Sequence, residues 1–453
     1  MLSKSKYLRG VKCIRNLWLY SNKKEEQHYS EENIRVFNRG TSVGELAQFY
    51  FPNGRFAVEP GQMPTYDTAR LTQEYIQQGI ETIYEATFIY DETIVAVDLL
   101  HKEPDGWHLY EVKSTNSAKP EHVKDVAVQY YVLKGCGLEL ADASVMFFDR
   151  SYIKRGELDV QQLFTYESVL KNILPMQETI GINITSFHEM VKGEEPCLEM
   201  GSQCSSPYEC DFKDYCMSLL PSVNAEKKEK KILSTEPVVN RAEIKKFLNT
   251  FNYPLCHLDF ETIMPGVPLF DQSRPYQQIP FQYSIHFCAD KGAELQHHEY
   301  LAPSSLNIDP RIGLIEQMIA HTSHAQIIMV YNIAFERTRL KEMKRDFPKY
   351  SEDLDSIIDR LVDLMPPFRS KHYLTESMEG SYSIKKVLPA VSPELSYDDL
   401  EISNGGDASN TFLELYYCED KEYIDTTRQQ LLTYCGLDTL AMVKVLDALE
   451  KVK

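Results

Sequence analysis

The sequence predicts two α/β domains in succession, and three observations support this prediction. The 453 residues suffice for roughly two to four domains of ordinary size. Hydrophobic residues make up 43% of the chain and aromatic residues 11%, which is typical of a protein with a large apolar core. A charged run, AEKKEKK at 225–231, interrupts the apolar pattern near the middle. We therefore expect a first domain at 1–220, a charged linker at 221–241 and a second domain at 242–453.

Runs rich in β-branched and aromatic residues alternate with helical runs along the first domain. GTSVGELAQFYF predicts a helix, and TIYEATFIYDETIVAVDLL predicts two strands that join at Asp91 and Glu92. GWHLYEVKS is a third strand, and ASVMFFD is a further one. Between them, KPEHVKDVAVQYYVLKGCG predicts a helix that ends at Gly135 or Gly137. Such alternation is typical of an α/β domain.

The second domain shows the same mixture of strands and helices. RAEIKKFLNTFNYPLCHLDFETI predicts a helix that leads into a strand, and IIMVYNIAFERTRL predicts a strand that enters a helix. The chain closes with one long helix, TTRQQLLTYCGLDTLAMVKVLDALEKV. SNGGDASN, with Gly405 and Gly406, is expected to be a surface loop and not a phosphate cradle, because no helix-opening pattern with Lys follows it.

Charge and hydropathy restrict the class of protein. The net charge of −19 argues against a broad basic surface for duplex nucleic acid, so we expect any nucleic-acid track to be local. No run approaches the roughly 18 apolar residues of a membrane span, and the start of the chain lacks the apolar block of a signal peptide. We therefore expect a cytoplasmic protein without membrane contact. Its ten cysteines are then thiols or metal ligands rather than disulfides.

Two carboxylates followed by a lysine mark the first candidate site. Asp98 closes the apolar run IVAVD, and Glu111 and Lys113 share one face of a strand because strand side chains alternate. Two antiparallel strands would bring Asp98 and Glu111 together as ligands of a divalent cation. Lys113, and Gln129 on the following helix, would then hold water or contact a phosphate oxygen.

This pattern resembles the PD-(D/E)XK nucleases, and more closely their RecB-like branch. The resemblance implies a RecB-like restriction-endonuclease fold, in which Asp98 and Glu111 bind metal. It also implies catalytic roles for Lys113, for Gln129 and for Glu85, which lies in IYEATF before the metal-binding strand.

Two positions of the first domain depart from that family pattern. Gly44 stands where many members have a histidine in the first helix. Leu133 stands four residues after Gln129, where a tyrosine is usual. These departures leave open an alternative in which the first domain is a non-catalytic module for binding nucleic acid or docking a partner.

A group of cysteines follows the predicted core of the first domain. Cys204, Cys210 and Cys216 are each separated from the next by five residues, and the Cys-x-x-Cys pairs of zinc ribbons are absent. Iron–sulfur clusters take four thiolates with looser spacing, and Cys13 is a distant candidate for the fourth, with Cys197 as its competitor. The arrangement resembles the iron–sulfur RecB-like nucleases, which place one cysteine before the core and three after it. The resemblance implies a [4Fe-4S] cluster.

Acidic residues in apolar surroundings mark a second candidate site. In LCHLDFETI, Asp259 and Glu261 share one face of a strand, and buried charges of one sign need a counter-ion such as a pair of divalent metals. Glu336 follows in IIMVYNIAFERTRL. Near the end, Tyr434 and Asp438 are four residues apart and so lie on one helical face.

Together these segments resemble a DnaQ-like DEDDy exonuclease with an RNase H-like three-layer fold. The resemblance implies that Tyr434 positions the attacking water and that four acids bind metal. Those acids are Asp259, Glu261, Glu336 and Asp438. Glu336 replaces the usual aspartate, and Asp363 in RLVDLMPPF is an alternative acid. The motifs LDFET, YN..FE and YC..DT also resemble a bacterial family known only as a domain of unknown function.

We therefore expect a nuclease that depends on Mg²⁺ or Mn²⁺ and hydrolyses single-stranded DNA or DNA ends, with 3′→5′ exonuclease action in the second domain. An RNA 3′→5′ exonuclease is the alternative, because recognition of the 2′-hydroxyl is not visible in a sequence. The stretch RSKHYLTESMEGSYSIKKVL has the basic and aromatic composition of a single-strand track, but also that of an ordinary amphipathic helix with its loop.

Overall fold

A computed structural model describes most of the chain, and the protein divides into two compact α/β units. The described residues are 1–28, 42–206, 208–220, 237–398 and 400–452. The first unit comprises Met1–Tyr152 and Gly156–Ala225, and the second comprises Ile153–Arg155 and Glu226–Lys453. Within the described residues, every helix is too short or too polar to cross a lipid bilayer.

Most of the predicted linker, residues 221–236, lies outside the described residues. The rest of it is ordered structure of the second unit. Val238–Val239 forms a short strand, and the side chain of Asn240 caps the helix that begins at Arg241 by accepting a hydrogen bond from the Glu243 backbone.

The first unit is built on one mixed sheet of seven strands with helices around it. Its strands are β1 (Leu2–Ser3), β2 (Arg55–Phe56), β3 (Thr82–Tyr90), β4 (Thr93–Glu103), β5 (Gly106–Val112), β6 (Leu140–Phe148) and β7 (Phe164–Ser168). Its helices are α1 (Lys4–Lys12), α2 (Ile14–Asn22), α3 (42–47), α4 (Tyr66–Gln77), α5 (Pro120–Gly135), α6 (Val160–Leu163), α7 (Leu170–Ile173), α8 (Gln177–Lys192) and α9 (Lys213–Ser218). Six strands follow the order β2-β3-β4-β5-β6-β7, and β1 pairs in parallel with the start of β4.

The hairpin of β3 and β4 forms where the sequence predicts it. The strands join at Asp91 and Glu92, whose φ angles of 47° and 51° provide the two left-handed residues of a tight hairpin turn. The pairing is interrupted at Glu85, which has a φ of 52° and lies opposite Asp98. A non-glycine residue with this φ inside a strand is strained, and such strain concentrates at functional sites.

Helix α5 covers the first sheet and ends at Gly135, as predicted. Pro120 occupies its first turn, where a missing N–H is tolerated, and Gly137 continues the chain at a φ of 80°. Its buried face packs on β3 and β6 and includes both Leu133 and Gln129. Leu133, which replaces the tyrosine of the family pattern, is therefore a core residue.

The second unit is built on a five-stranded sheet with helices on both faces. Its strands are β8 (Val238–Val239), β9 (Leu255–Ile263), β10 (Ile279–Cys288), β11 (Gln296–Leu301), β12 (Ile327–Val330), β13 (Leu361–Asp363) and β14 (Tyr373–Leu374). Its helices are α10 (Arg241–Leu248), α11 (Pro310–Thr322), α12 (Ile333–Asp346), α13 (Ser351–Asp359), α14 (Pro366–Arg369), α15 (Ile384–Val391), α16 (Gly405–Leu415) and α17 (Lys421–Lys451). The main sheet has the order β11-β10-β9-β12-β13, and β14 pairs with β8 separately.

The central strand β9 separates two helical layers. Leu258 and Phe260 pack with α11 and α12 in one apolar core, whereas the alternate residues of β9 point to the opposite face, where α17 lies. The polar residues of the strand are on that second face. They are His257, Asp259 and Glu261.

One predicted loop of the second unit was wrong. Gly405 and Gly406 open helix α16 instead of forming a surface loop. The side chain of Asn404 accepts a 2.9 Å hydrogen bond from the Asp407 backbone and so caps the new helix. This cap and the packing of Phe412 in the core outweigh the low helix propensity of two glycines.

Candidate functional sites

Three carboxylates meet at one place in the second unit. Asp259 and Glu261 project from β9 and Asp438 from α17, and one oxygen atom of each lies within 4.8 Å of the other two. Glu261 and Asp438 are buried, and Asp259 is half-buried. The structure thus brings together three of the four acids predicted as metal ligands in this unit. We call them the carboxylate cluster.

The members of the carboxylate cluster disturb one another's ionisation. Burial, followed by the charge of Asp438, raises the pKa of Asp259 and of Glu261 well above the ordinary carboxyl value. Burial also raises the pKa of Asp438 to about 6. A divalent cation would relieve both the burial and the repulsion, and oxygen ligands suit Mg²⁺ or Mn²⁺.

The fourth predicted acid, Glu336, lies beside the cluster without joining its close contact. It sits in the first turn of α12 and is 2% exposed. Its Oε2 is buried and has no hydrogen-bond partner among the described residues. Burial raises the pKa of Glu336 to about 8, and its charge in turn contributes to the raised pKa of Asp259. A buried carboxylate oxygen without a partner is costly, and a cation near Asp259 would provide one.

The alternative acid, Asp363, is occupied by backbone groups. Its Oδ1 accepts hydrogen bonds from the backbone N–H of Asn332 at 3.1 Å and of Met365 at 2.9 Å. Asn332 has a φ of 77°, so this contact helps to hold the left-handed turn that begins α12. Asp363 therefore positions the helix that carries Glu336.

Two tyrosines and a lysine surround Asp438. Tyr434 lies one helical turn before it on the same helix, as predicted, and its side chain is buried. Tyr397 donates a 2.7 Å hydrogen bond to Oδ1 of Asp438, and this residue was not predicted. The Nζ of Lys385 lies 5.3 Å from the ring centroid of Tyr397 and 5.2 Å from that of Tyr434. Its charge lowers the pKa of Glu261 and Asp438 against the effect of burial. A basic group thus accompanies the cluster.

The start of helix α16 also abuts the carboxylate cluster. A Cβ atom placed on Gly405 would lie 3.4 Å from Oε2 of Glu261. The first turn of a helix presents unpaired N–H groups and the positive end of the helix dipole, which favours a carboxylate nearby. A Cβ atom at this distance would make an ordinary van der Waals contact, so the approach does not itself require glycine.

A buried polar network supports the cluster from the next rung of the sheet. His257 of β9 pairs with His286 of β10, which pairs with His297 of β11. The hydroxyl of Thr439 lies 2.8 Å from Nδ1 of His286 and 2.7 Å from the hydroxyl of Ser284, which in turn lies 2.9 Å from Nε2 of His297. Because Thr439 directly follows the third acid of the cluster, this network fixes the rotation of α17 against the sheet.

The first unit contains a cavity of about 520 Å³ that holds the other predicted site. Its lining includes Glu85, Asp98, Glu111 and Lys113, so the predicted residues lie in one pocket. Gln129 reaches the pocket from α5 by donating a 2.6 Å hydrogen bond to Oε2 of Glu111. We call this cavity the Glu111 pocket.

The pKa values of the two metal-binding candidates of the Glu111 pocket are shifted in opposite directions. Burial, followed by the charge of Glu111, raises the pKa of Asp98 to about 8. Burial would also raise the pKa of Glu111, but the ammonium groups of Lys113 and Lys4 hold it well below its usual range. Asp98 is further held by the backbone N–H of Val112, which donates to its Oδ2 at 2.7 Å.

Two charged residues of the Glu111 pocket were not predicted. Lys4, from the start of α1, donates to both oxygens of Glu111 at 2.9 and 3.0 Å. Asp125, from α5, forms an ion pair with Lys113. The expected metal contact of Asp98 and Glu111 is therefore accompanied by a second ammonium group and another carboxylate.

Gly44 lines the same pocket, and a Cβ atom built on it would have open space around it. The histidine of the family pattern is therefore missing for no steric reason.

The four predicted cysteine ligands act on one another in the first unit. Burial raises the pKa of Cys13 and of Cys216, and the charges of Cys204 and Cys210 raise both further. The backbone N–H of Cys210 donates to the carbonyl of Cys204, which closes the loop between them. The competitor, Cys197, is exposed.

The spacing of these thiols is wider than that of a single zinc site. Among the four cysteines, all of which the structure describes, no three sulfur atoms lie within 4.8 Å of one another, whereas tetrahedral zinc would hold them about 3.8 Å apart. The side-chain amide of Asn16 donates a 3.2 Å hydrogen bond to Sγ of Cys210, and Arg15 lowers the pKa of Cys216 against the effect of burial. Four thiols with adjacent cationic and amide donors are a donor set that suits an iron–sulfur cluster.

Comparison with known proteins relates one segment of the chain to a family. Residues 256–383 match a domain of unknown function, DUF2779. This agrees with the label expected from the sequence motifs. The matched segment contains Asp259, Glu261 and Glu336, and it ends before Tyr434 and Asp438.

Three mycoplasma-type bacteria have similar proteins. The chain is 28% identical over 205 residues to the Uncharacterized protein MG366 homolog of Mycoplasma pneumoniae, which covers 42% of this chain and 31% of that protein. It is 28% identical over 222 residues to Uncharacterized protein MG366 of Mycoplasma genitalium, covering 44% and 33%. It is 27% identical over 217 residues to Uncharacterized protein UU173 of Ureaplasma parvum, covering 42% and 30%. The chain thus spans about a third of the length of these relatives.

Proposed function

We propose that this protein is a metal-dependent nuclease that hydrolyses phosphodiester bonds of single-stranded DNA or DNA ends. The observation that carries the proposal is the carboxylate cluster, in which oxygens of Asp259, Glu261 and Asp438 lie within 4.8 Å of one another. Two buried acids and one half-buried acid lie together in the cluster, and this arrangement is unfavourable unless a cation is bound.

Asp259, Glu261 and Asp438 would hold Mg²⁺ or Mn²⁺, with Glu336 as a further oxygen donor. Bound divalent cations supply Lewis acidity toward a phosphate ester and lower the pKa of water. The 3′→5′ exonuclease assignment for this unit rests on the resemblance to the DnaQ-like DEDDy enzymes. DUF2779 itself carries no activity in its description.

The chain's own residues around the cluster have separate tasks in this proposal. Tyr434 orients the attacking water by its hydroxyl, and Tyr397 keeps Asp438 in position through the hydrogen bond to its Oδ1. Lys385 supplies a positive charge within reach of a phosphate oxygen. The single-strand track proposed for the stretch 369–388 includes this lysine.

The Glu111 pocket is a second candidate nuclease site of the RecB-like type. Asp98 and Glu111 would hold the cation, with Lys113, Gln129 and Glu85 as catalytic partners. A specific observation favours the alternative that this unit only binds nucleic acid or a partner. Glu111 already accepts hydrogen bonds from two lysines, Lys4 and Lys113, and the histidine of the family pattern is replaced by Gly44.

A [4Fe-4S] cluster held by Cys13, Cys204, Cys210 and Cys216 is part of the proposal. The mutual effect of the four thiols on their ionisation and the amide hydrogen bond from Asn16 to Cys210 support it. Such a cluster would tie the junction of α1 and α2 to α9 and to the segment before it. Its role here is structural, since it fastens the two ends of the first unit.

Digestion of end-labelled oligonucleotides tests the proposed function. We expect the full chain, purified without oxygen, to shorten single-stranded DNA from its 3′ end with Mg²⁺ or Mn²⁺ and not with EDTA. Asp259→Ala should abolish this shortening, whereas Asp425→Ala, which alters another acid on the same helix as Asp438, should not. Matched RNA strands separate the RNA exonuclease from the DNA enzyme.

Glu111→Ala decides the role of the first unit. If cleavage persists in Glu111→Ala and is lost in Asp259→Ala, the first unit is a binding module. If both substitutions leave digestion unchanged, the proposed function is wrong.

A further inference from the structure

The carboxylate of Glu111 is fully engaged by neighbouring donors. Its Oε1 accepts hydrogen bonds from Lys4 at 2.9 Å and Lys113 at 2.8 Å, and its Oε2 accepts from Lys4 at 3.0 Å and Gln129 at 2.6 Å. A carboxylate offers about four acceptor positions. Glu111 is 2% exposed, so these protein donors replace solvent. A cation can therefore reach Glu111 only when one of these donors leaves it.

Among the donors to Glu111, Lys4 is the one that the family pattern does not include. Its position is fixed by the strand and the helix cap that precede it. The preceding strand β1 pairs with β4, since Leu2 lies beside Thr93 and its side chain is buried. The Ser3 hydroxyl then caps α1 by accepting from the Lys6 backbone at 3.2 Å. Lys4 is the first residue of that helix and is directed into the pocket.

Carboxylates outnumber ammonium groups around the Glu111 pocket, and this excess of negative charge favours a divalent cation. Four carboxylates face two ammonium groups, so full ionisation gives −4 + 2 = −2. The carboxylates are Glu85, Asp98, Glu111 and Asp125, and the ammonium groups are Lys4 and Lys113. Besides Glu111, the charge of Lys4 acts on Asp98 and Glu85. Lys4 thus stands where it neutralises the same acids that a cation would neutralise.

We propose that Lys4 is an internal counter-ion that competes with a divalent cation for Glu111 and, once displaced, contacts a phosphate of the nucleic acid. This inference rests on the proposed function, because it takes the Glu111 pocket to be a cation and nucleic-acid site. It makes Lys4 a positioning residue with two opposite effects. Lys4 weakens cation binding to the free protein, and it strengthens the binding of nucleic acid to the cation-loaded protein.

The test measures Mn²⁺ binding and not cleavage. The parent protein is the full chain with Asp259→Ala and Asp438→Ala, which remove the carboxylate cluster of the second unit. The electron paramagnetic resonance signal of free Mn²⁺ reports how much Mn²⁺ is bound. We expect Lys4→Met to bind Mn²⁺ about tenfold more tightly than this parent, because a competing charge is gone. Lys4→Arg should stay within about twofold of the parent, and so should Lys6→Met, which alters a lysine of the same helix outside the pocket.

A second readout separates competition from a structural role. With Mn²⁺ saturating, a fluorescent single-stranded DNA should bind Lys4→Met about threefold or more weakly than the parent, opposite in sign to the change in Mn²⁺ affinity. If Lys4→Met does not fold, Lys4→Gln takes its place, since it keeps a hydrogen-bond donor and removes the charge. Melting temperatures of all variants show that folded protein is compared.

Three results overturn the inference. In the first, Glu111→Ala abolishes Mn²⁺ binding, but Lys4→Met binds Mn²⁺ no more tightly than the parent. This result would show that Lys4 does not compete with the cation, and it would leave the proposed function intact. Tighter Mn²⁺ binding with unchanged DNA affinity removes the phosphate contact. If neither the parent nor Lys4→Met binds Mn²⁺ in the pocket, the nuclease role of the first unit fails, and the inference fails with it.

Discussion

The hydroxyl of Tyr397 donates a 2.7 Å hydrogen bond to Oδ1 of Asp438, although the two residues are 41 positions apart in the chain. Tyr397 is buried and lies near Tyr434, with ring centroids 6.2 Å apart. Asp438 is therefore held by a neutral donor in a site where burial disfavours its charged form. This contact connects the loop before α16 with the carboxylate cluster.

Removal of that hydrogen bond should make cation binding depend more strongly on pH. The hydrogen bond from Tyr397 lowers the pKa of Asp438, which burial has raised to about 6. In Tyr397→Phe the pKa of Asp438 rises further, so that protons compete better with Mn²⁺. In a Glu111→Ala background, we expect about three- to tenfold weaker Mn²⁺ binding near pH 6.5 and a smaller loss near pH 8.

Tyr423→Phe is the matched control for this prediction, because Tyr423 is an exposed tyrosine of α17. Its Mn²⁺ affinity should equal that of the parent at every pH. An equal loss in Tyr397→Phe across the whole pH range would show that the Tyr397 hydroxyl holds Asp438 in position and does not tune its pKa.

The stability of the protein without divalent cations should fall as the pH rises above about 7. Burial raises the pKa of Asp98 and Glu336 to about 8 and that of Asp438 to about 6, whereas the unfolded chain titrates at ordinary carboxyl values. Between these values the folded state binds more protons than the unfolded state, so the free energy of unfolding decreases with pH. Each unit of raised pKa corresponds to about 1.4 kcal/mol.

Thermal melting in EDTA from about pH 7 to pH 8 checks this dependence, because at lower pH buried histidines with lowered pKa values, such as His257 and His286, bind protons more readily in the unfolded chain and act in the opposite direction. We expect the melting temperature to decline from pH 7 to pH 8 and Mn²⁺ to restore it most at the alkaline end, where the acids are ionised and bind the cation. The stability of Asp438→Asn relative to the unsubstituted protein should rise between about pH 4 and pH 6, the interval in which Asp438 titrates differently in the two states. A melting temperature that rises from pH 7 to pH 8 in EDTA would contradict the assignment of these raised pKa values.

Gly44→His should be tolerated and should tighten cation binding in the first unit. The Cβ position at residue 44 is open and faces the Glu111 pocket, and a neutral imidazole is a common metal ligand. With the cluster of the second unit removed, we expect Mn²⁺ to bind about three- to tenfold more tightly and the free energy of unfolding to change by less than about 1 kcal/mol.

Gly44→Leu is the companion of Gly44→His, since it adds similar bulk without a ligand atom. Its Mn²⁺ affinity should remain at or below that of the parent. Equal gains in both variants would mean that bulk, and not the imidazole, improves the pocket.

Replacement of Cys13 should remove the proposed iron–sulfur cluster, and replacement of Cys197 should not. Cys13 interacts with Cys204 and Cys210, whereas Cys197 is exposed. After purification without oxygen, Cys13→Ser should lose more than about half of its iron and visible absorbance, and Cys197→Ser should retain both. Analysis of iron, zinc and acid-labile sulfide checks the result. Zinc without sulfide in the parent would replace the iron–sulfur proposal with a zinc site.

The alternation of strand residues makes the acids of β9 predictable. Asp259 and Glu261 are two apart in a strongly apolar strand, so their common face follows from strand geometry. Tyr434 and Asp438 share a face by the helical repeat in the same way. Local periodicity therefore predicts which of these residues share a face, whereas the meeting of Asp438 with Asp259 and Glu261 was expected from the resemblance to the DnaQ-like DEDDy exonucleases.

Partners from distant segments are not predictable by the same reasoning. Lys4 reaches Glu111 over 107 positions, and Tyr397 reaches Asp438 from an irregular loop. No local pattern distinguishes such a lysine or tyrosine from one on the surface, because tertiary packing alone brings them to the site. The start of α16 was missed for a local reason, since the prediction took SNGGDASN, with Gly405 and Gly406, as a loop and did not consider Asn404 as a helix cap.

Helix α1 is only nine residues long, with Lys4 at its first position and Cys13 directly after its last. At 1.5 Å per residue it spans roughly 13 Å, and a rod so short moves as one body. Oxidation of the cysteine thiols by air would therefore displace the same helix, α1, that carries the Lys4 ammonium group. Loss of the proposed iron–sulfur cluster would therefore disturb the Glu111 pocket as well. In such a sample, a loss of nuclease activity would not distinguish damage at Cys13 from displacement of Lys4.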